Sequence, residues 1–134
     1  MQYEIRSSSA KTKEFINSVM PSMIKQLGLT KSQKFVLIEV SKNCGGNLGF
    51  TTPLPGLDSY VIVLSPRKLI DMGVTLAHEM VHVRQLAKGI LRAEDGKRYW
   101  KGKLYSNRTK YLDQPWELDA LARQDIVFRR ALET

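Results

Sequence analysis

The chain has one cysteine, only two histidines, no apolar run long enough to cross a bilayer, and no repeat or low-complexity tract. Each scarcity excludes something. A lone thiol, Cys44, rules out an internal disulfide framework, so a reducing compartment is expected. The longest apolar stretches are strand-sized, which excludes a membrane-spanning helix. The opening residues Met1-Gln2-Tyr3-Glu4-Ile5-Arg6 lack the basic-then-apolar order of a secretory leader. The expectation is a soluble, cytoplasmic protein, monomeric and without a membrane partner.

What is present fits one globular domain, residues 1–134, with ordinary apolar and charged content. The unusual global number is the net charge of +8. Such a charge can attract nucleic acid or acidic protein segments, and it can equally keep a small protein soluble.

Between Ser9 and Leu27, the residues Phe15, Ile16, Val19, Met20, Met23, Ile24 and Leu27 follow the spacing of an amphipathic helix. Ser8 or Ser9 can cap it and Gly28 can end it, while Pro21 predicts a kink or two consecutive helices. Lys34–Val40 is β-branched and apolar enough for a buried strand. Cys44-Gly45-Gly46-Asn47 marks a turn, a short strand follows over Leu48–Thr52, and Ser59–Leu64 is a third strand. From Arg67 to Lys88 the pattern is helical and apolar nearly all round, which predicts a central, buried helix closed by Gly89. Residues 90–112 are polar, basic and aromatic, and predict a hairpin or long loop around Gly102. A last helix is expected from Pro115, which suits a first helical position, to Leu132.

The only two histidines fall four apart on the buried helix, in His78-Glu79-Met80-Val81-His82. That spacing stacks two imidazoles on one face, where both can ligate one Zn²⁺ at about 2.0–2.1 Å. Glu79 lies about 100° round the helix, within reach of a water at the metal but outside the ligand set. It suits a general base for metal-assisted hydrolysis. Two imidazoles and a carboxylate among apolar neighbours would be costly to bury without such a purpose.

A catalytic zinc takes three protein ligands and keeps one open position. With no further histidine, the third ligand is a carboxylate or Cys44. Cys44 lies in a turn remote in sequence, and Glu94 and Asp95 lie in a glycine-adjacent loop. Glu117 stands in the first turn of the last helix, whose face continues through Ala120, Leu121, Gln124 and Phe128 toward the zinc helix. It is the candidate third ligand, with a helix-dipole carboxylate as its plainer role.

HExxH on one helix with a glutamate on a following helix resembles the gluzincin branch of the zincin metallopeptidases. Size and element order are similar to minimal gluzincins and to SprT-like predicted peptidases, some of them phage-encoded. The resemblance implies an α+β fold: a mixed three- to four-stranded sheet packed on an N-terminal helix, the HExxH helix and the glutamate helix. It also implies a peptide or protein substrate, aligned by main-chain hydrogen bonds along an edge strand, here Ser59–Leu64. An infected host cell is a setting consistent with it. Two positions depart from the pattern. Many gluzincins carry an acidic residue four after the glutamate ligand, where this chain has Leu121, and Asp119 would point elsewhere. SprT-like proteases usually have a third histidine, which this chain lacks.

A hydrolase of this kind needs a donor for the developing oxyanion. Tyr60, Tyr99, Tyr105 and Tyr111 are candidates, with Tyr111 favoured for its place just before the Glu117 helix. The segment 97–111 interleaves Lys97, Arg98, Lys101, Lys103, Arg108 and Lys110 with aromatic residues. It can bind single-stranded nucleic acid, form a hairpin with lysines outside, or border the substrate cleft. The expected function is a zinc endopeptidase with His78, His82 and Glu117 on the metal and Glu79 as base. The alternative is a nucleic-acid-associated zinc protein that cleaves bound proteins or holds a structural metal.

Overall fold

A computed structural model describes residues 1–133, and it is an α+β fold. In chain order it has β1 (Gln2–Arg6), α1 (Ala10–Gln26), β2 (Phe35–Val40), β3 (Gly49–Leu54) and β4 (Ser59–Leu64). There follow α2 (Leu69–Ala87), β5 (Leu91–Glu94), β6 (Lys97–Trp100), β7 (Lys103–Tyr105), a single 3₁₀ turn at Tyr111–Asp113, and α3 (Pro115–Leu132).

The first four strands form one mixed sheet in the order β1-β2-β4-β3. Strand β1, which the opening residues did not announce, pairs parallel to β2. A parallel pair requires a crossover, and α1 supplies it. Ser9 caps α1 by accepting from the Thr12 N–H at 3.2 Å. Pro21 lies inside one continuous helix, so of the two outcomes the sequence allowed, a division into two helices does not occur. Pro21 and Asn17 lie on its exposed side, where solvent can serve the Asn17 carbonyl that loses its partner.

Alternation in the strands sets which face is buried. Val36 and Ile38 of β2 and Tyr60, Ile62 and Leu64 of β4 face the helices and join Met20, Met23, Leu76 and Met80 in one core. Helix α2 runs through the middle of this layer, touching α1, α3, β3 and β4, which accounts for its all-round apolar character. Its approach to α3 depends on Gly73, because a Cβ there would overlap the Phe128 ring.

Strand β4 lies inside the sheet between β2 and β3, so the edge strand expected at Ser59–Leu64 is instead β3, antiparallel to β4. The Ser65 N–H donates to the Leu48 carbonyl at 2.9 Å, which fixes the phase of that ladder. Phe50, Thr52 and Leu54 therefore bond to β4, and Gly49, Thr51 and Pro53 turn their backbone groups to the open edge. Pro53 has no N–H to offer, and an outward edge position is where a strand tolerates that.

Residues 91–105 form a second, antiparallel sheet, β5-β6-β7, rather than a single hairpin or loop. Its two turns are Asp95-Gly96 and Lys101-Gly102, with positive φ at both residues of each, as two-residue hairpins require.

Gly73→Ala tests the packing of α2 on α3. Alanine favours a helix by about 1 kcal/mol, but overpacking against Phe128 costs about 1–3 kcal/mol. A lowered melting temperature is expected in thermal unfolding. An unchanged or raised value would show that α3 does not pack this closely.

Candidate metal centre

The face of α2 turned toward α3 carries His78 and His82 one turn apart, with ring centroids 4.9 Å from each other. The first turn of α3 brings Glu117 between them. Its Oε1 lies 3.1 Å from His78 Nε2 and 2.7 Å from His82 Nε2. One ligand atom from each residue lies within 4.8 Å of the other two, so the three can hold a metal ion. All three side chains are only 12–14% exposed.

The far nitrogen of each imidazole is tied to an amide. His82 Nδ1 lies 2.9 Å from Gln85 Oε1. Gln85 is fully buried, and its Nε2 donates to the Trp116 carbonyl and to Asp119 Oδ2, both at 2.9 Å. Those two partners accept only, so the Gln85 oxygen must face His82, whose Nδ1 must then carry the proton. The lone pair of a neutral His82 is thereby directed from Nε2 toward Glu117. His78 repeats the arrangement with Gln124 Oε1, 2.8 Å from its Nδ1. This is the orientation a metal-binding histidine requires.

Without a cation, two Nε2 atoms face one carboxylate oxygen and are satisfied only by protons. Burial alone would pull both histidines down, but the bonds to Glu117 and to their glutamines, with the charges of Glu79 and Glu117, hold them above 6.5. Burial alone would likewise raise Glu117, yet the hydrogen bonds from His78 and His82 dominate and lower it to about 2. The cluster is built to enclose positive charge, and protons compete with a metal for the same lone pairs.

Glu79 occupies a separate position. It is buried, it is not one of the three grouped ligand residues, and its Oε1 accepts from Thr51 Oγ1 at 2.7 Å. Thr51 belongs to the open edge strand β3, so one hydroxyl couples that edge to the carboxylate. The other ligand candidates lie elsewhere. Cys44 is buried with its thiol on the Ser41 carbonyl, Glu94 pairs with Arg92, and Asp95 is in the β5–β6 turn. Of the four tyrosines considered as oxyanion donors, only Tyr111 lines the cleft at the site.

One role that the sequence left open is filled, and one expectation about the support of the histidines changes. With Leu121 at the usual place, the partner of His78 is Gln124, seven residues after Glu117 and so two turns along. Asp119 does not point away from the centre, because it holds Gln85, while its other oxygen accepts from Arg123 Nε at 2.7 Å. Gln85 itself escaped the sequence reading, although its place three residues after His82 puts it on the same helical face.

The centre opens into a cleft of about 830 Å³. Gly49, Thr51 and Pro53 border it on one side, and Leu91, Ala93 and Arg98 of the small sheet border it on the other. Residues 97–111 thus include part of the cleft wall. Cations of the chain itself stand over the aromatic rings there: Arg92 over Tyr99, Arg98 over Trp116, Lys101 over Trp100 and Lys103 over Tyr105. Each of these rings thus has a cation of the chain over one face, while Tyr111 in the same segment has none among the described residues. No helix among the described residues is long and apolar enough to cross a membrane. Compared with protein-family models, curated proteins and solved structures, the chain matches none.

Gln85→Met removes the acceptor of His82 Nδ1 and the donor to Asp119 while keeping most of the volume. Metal affinity, measured by competition with a chromophoric chelator, should fall about 10–100-fold. Metal uptake by the unaltered protein should release protons and weaken on acidification. Undiminished affinity in Gln85→Met would contradict the orienting role.

Proposed function

We propose that this chain is a zinc-dependent metallopeptidase of gluzincin-like design, with His78, His82 and Glu117 as ligands and Glu79 as general base. The observation that carries the reading is the division of labour among four groups. Three ligand atoms converge from α2 and α3, while a fourth group, the Glu79 carboxylate, is held apart by Thr51. The donor set of two imidazoles and one carboxylate fits zinc and leaves one position open. Zinc bound there acts as a Lewis acid on the scissile carbonyl and lowers the pKa of its water.

The remaining work falls to the chain itself. Glu79 Oε1 is engaged by Thr51, which leaves the second oxygen to take the attacking water's proton and return it to the departing amine. Edge strand β3 offers the outward N–H groups of Gly49 and Thr51, and the carbonyls of Gly49, Thr51 and Pro53, to an extended peptide. Tyr111, with its hydroxyl bonded to no described residue and its ring at the cleft, is the candidate donor to the oxyanion.

Glu79→Gln should abolish peptide hydrolysis while zinc stays bound, and His78→Ala should lose both, as read by peptide cleavage and by metal analysis of the purified proteins. Thr51→Val should lower kcat by about tenfold or more with zinc content intact, because the base loses its anchor. Peptidase activity retained in Glu79→Gln would refute the mechanism.

A further inference from the structure

Arg67 stands just before α2 and lines the same cleft, yet the ligands and base make no use of it. Its Nη2 donates to Thr75 Oγ1 and to the Asp71 carbonyl, the latter at 3.3 Å, which pins the guanidinium along the first turns of the helix. Its Nη1 bonds to no described residue, and its Nε is shut off from water with no acceptor. Among the described residues no carboxylate lies within ion-pair distance of it; Asp71 contributes a backbone oxygen only. A guanidinium presents five N–H donors in a plane suited to a carboxylate, and here the two on Nη1 are the ones left for a group entering from the cleft.

The neighbourhood fixes where such a carboxylate would come from. Thr75 packs beneath the start of β3, so closely that a Cβ on Gly49 would stand 2.8 Å from Thr75 Cγ2. Gly49 is therefore the edge residue next to the Arg67–Thr75 pair, and it lies two residues from Thr51, which holds Glu79. Two residues of strand span about 6.6–6.8 Å. A peptide laid on this edge brings to Arg67 a group about two residues from the bond poised at Glu79.

We infer that Arg67 is a specificity residue that receives a carboxylate of the substrate about two residues from the scissile bond. The inference rests on the peptidase reading and adds an acidic preference to it. On a peptide antiparallel to β3 the carboxylate lies on the C-terminal side. It is then either an aspartate or glutamate side chain or the chain's own terminus, and the two share one chemistry. The net charge of +8 favours acidic segments in the same direction.

The test uses zinc-loaded protein and alanine-based octapeptides in which one glutamate, or its neutral twin glutamine, is moved through each position. Every peptide is made with a free and with an amidated C-terminus. At one position, or for the free terminus, kcat/KM should exceed that of the neutral twin by about tenfold or more. Arg67→Gln should bring the pair to parity with zinc content and melting temperature retained, and Arg67→Lys should restore part of the difference. Anisotropy of labelled peptides on zinc-loaded Glu79→Gln gives the same comparison without turnover, so a failure to hydrolyse counts against the peptidase reading alone. Should Arg67→Gln fail to fold, glutamate-to-lysine peptides on the unaltered protein replace it, with lysine expected to be disfavoured at that position. Equal handling of acidic and neutral peptides, or a preference that survives in Arg67→Gln, would overturn the assignment.

Discussion

Two imidazole nitrogens and one carboxylate oxygen meet on a largely buried wall of the cleft, and their meeting requires positive charge between them. Either the histidines are protonated or a cation sits there. The amides of Gln85 and Gln124 bear on the choice by holding each Nδ1 as a donor and turning each Nε2 lone pair inward. Much of the rest of the molecule follows from keeping that meeting point in place. Gly73 lets α3 approach α2, Asp119 and the Trp116 carbonyl hold Gln85, and Thr51 keeps the Glu79 carboxylate apart from the ligand set.

The electrostatics reach beyond the three converging side chains. Glu117 lies at the N-terminus of α3, where the helix dipole favours a carboxylate whether or not a metal is present. Hydrogen bonds from two histidines lower its pKa to about 2 despite its burial. A group so placed is a carboxylate at any physiological pH and is ready to accept a cation without first losing a proton. Arg67 is the converse case, a cation pinned at the cleft with no described carboxylate within ion-pair distance. Arg98 on the facing wall also lacks an ion pair among the described residues, but its guanidinium stands over Trp116, whereas Arg67 lies beside the strand edge.

The centre was legible in the sequence because its signals are local. The spacing of His78 and His82, the apolar run around them and the place of Glu117 behind Pro115 each follow from helix geometry alone. Helix α3 and strand β4 likewise have the bounds their patterns suggested. What could not be read depends on partners distant in the chain. Strand β1 is short and takes its place from pairing with β2, and β4 is interior only because β3 folds back over its far side. The Asp95-Gly96 and Lys101-Gly102 turns were readable in principle as two-residue hairpins, but the polar strands between them hide the period-2 pattern. Gln85 is uncharged, so nothing in its chemistry marked it. Only its offset from His82 placed it at the centre. Asp119 reaches His82 only through Gln85, so its offset from Glu117 does not mark it as a partner of a histidine.

X-ray absorption spectroscopy of the zinc-reconstituted protein tests the central claim most directly. Two imidazole nitrogens at about 2.0–2.1 Å and carboxylate or water oxygen at about 2.0–2.2 Å, four-coordinate in all, is the expected result. The imidazole signal should halve in His82→Ala. A shell without imidazole scattering, or one containing sulfur from Cys44, would contradict it.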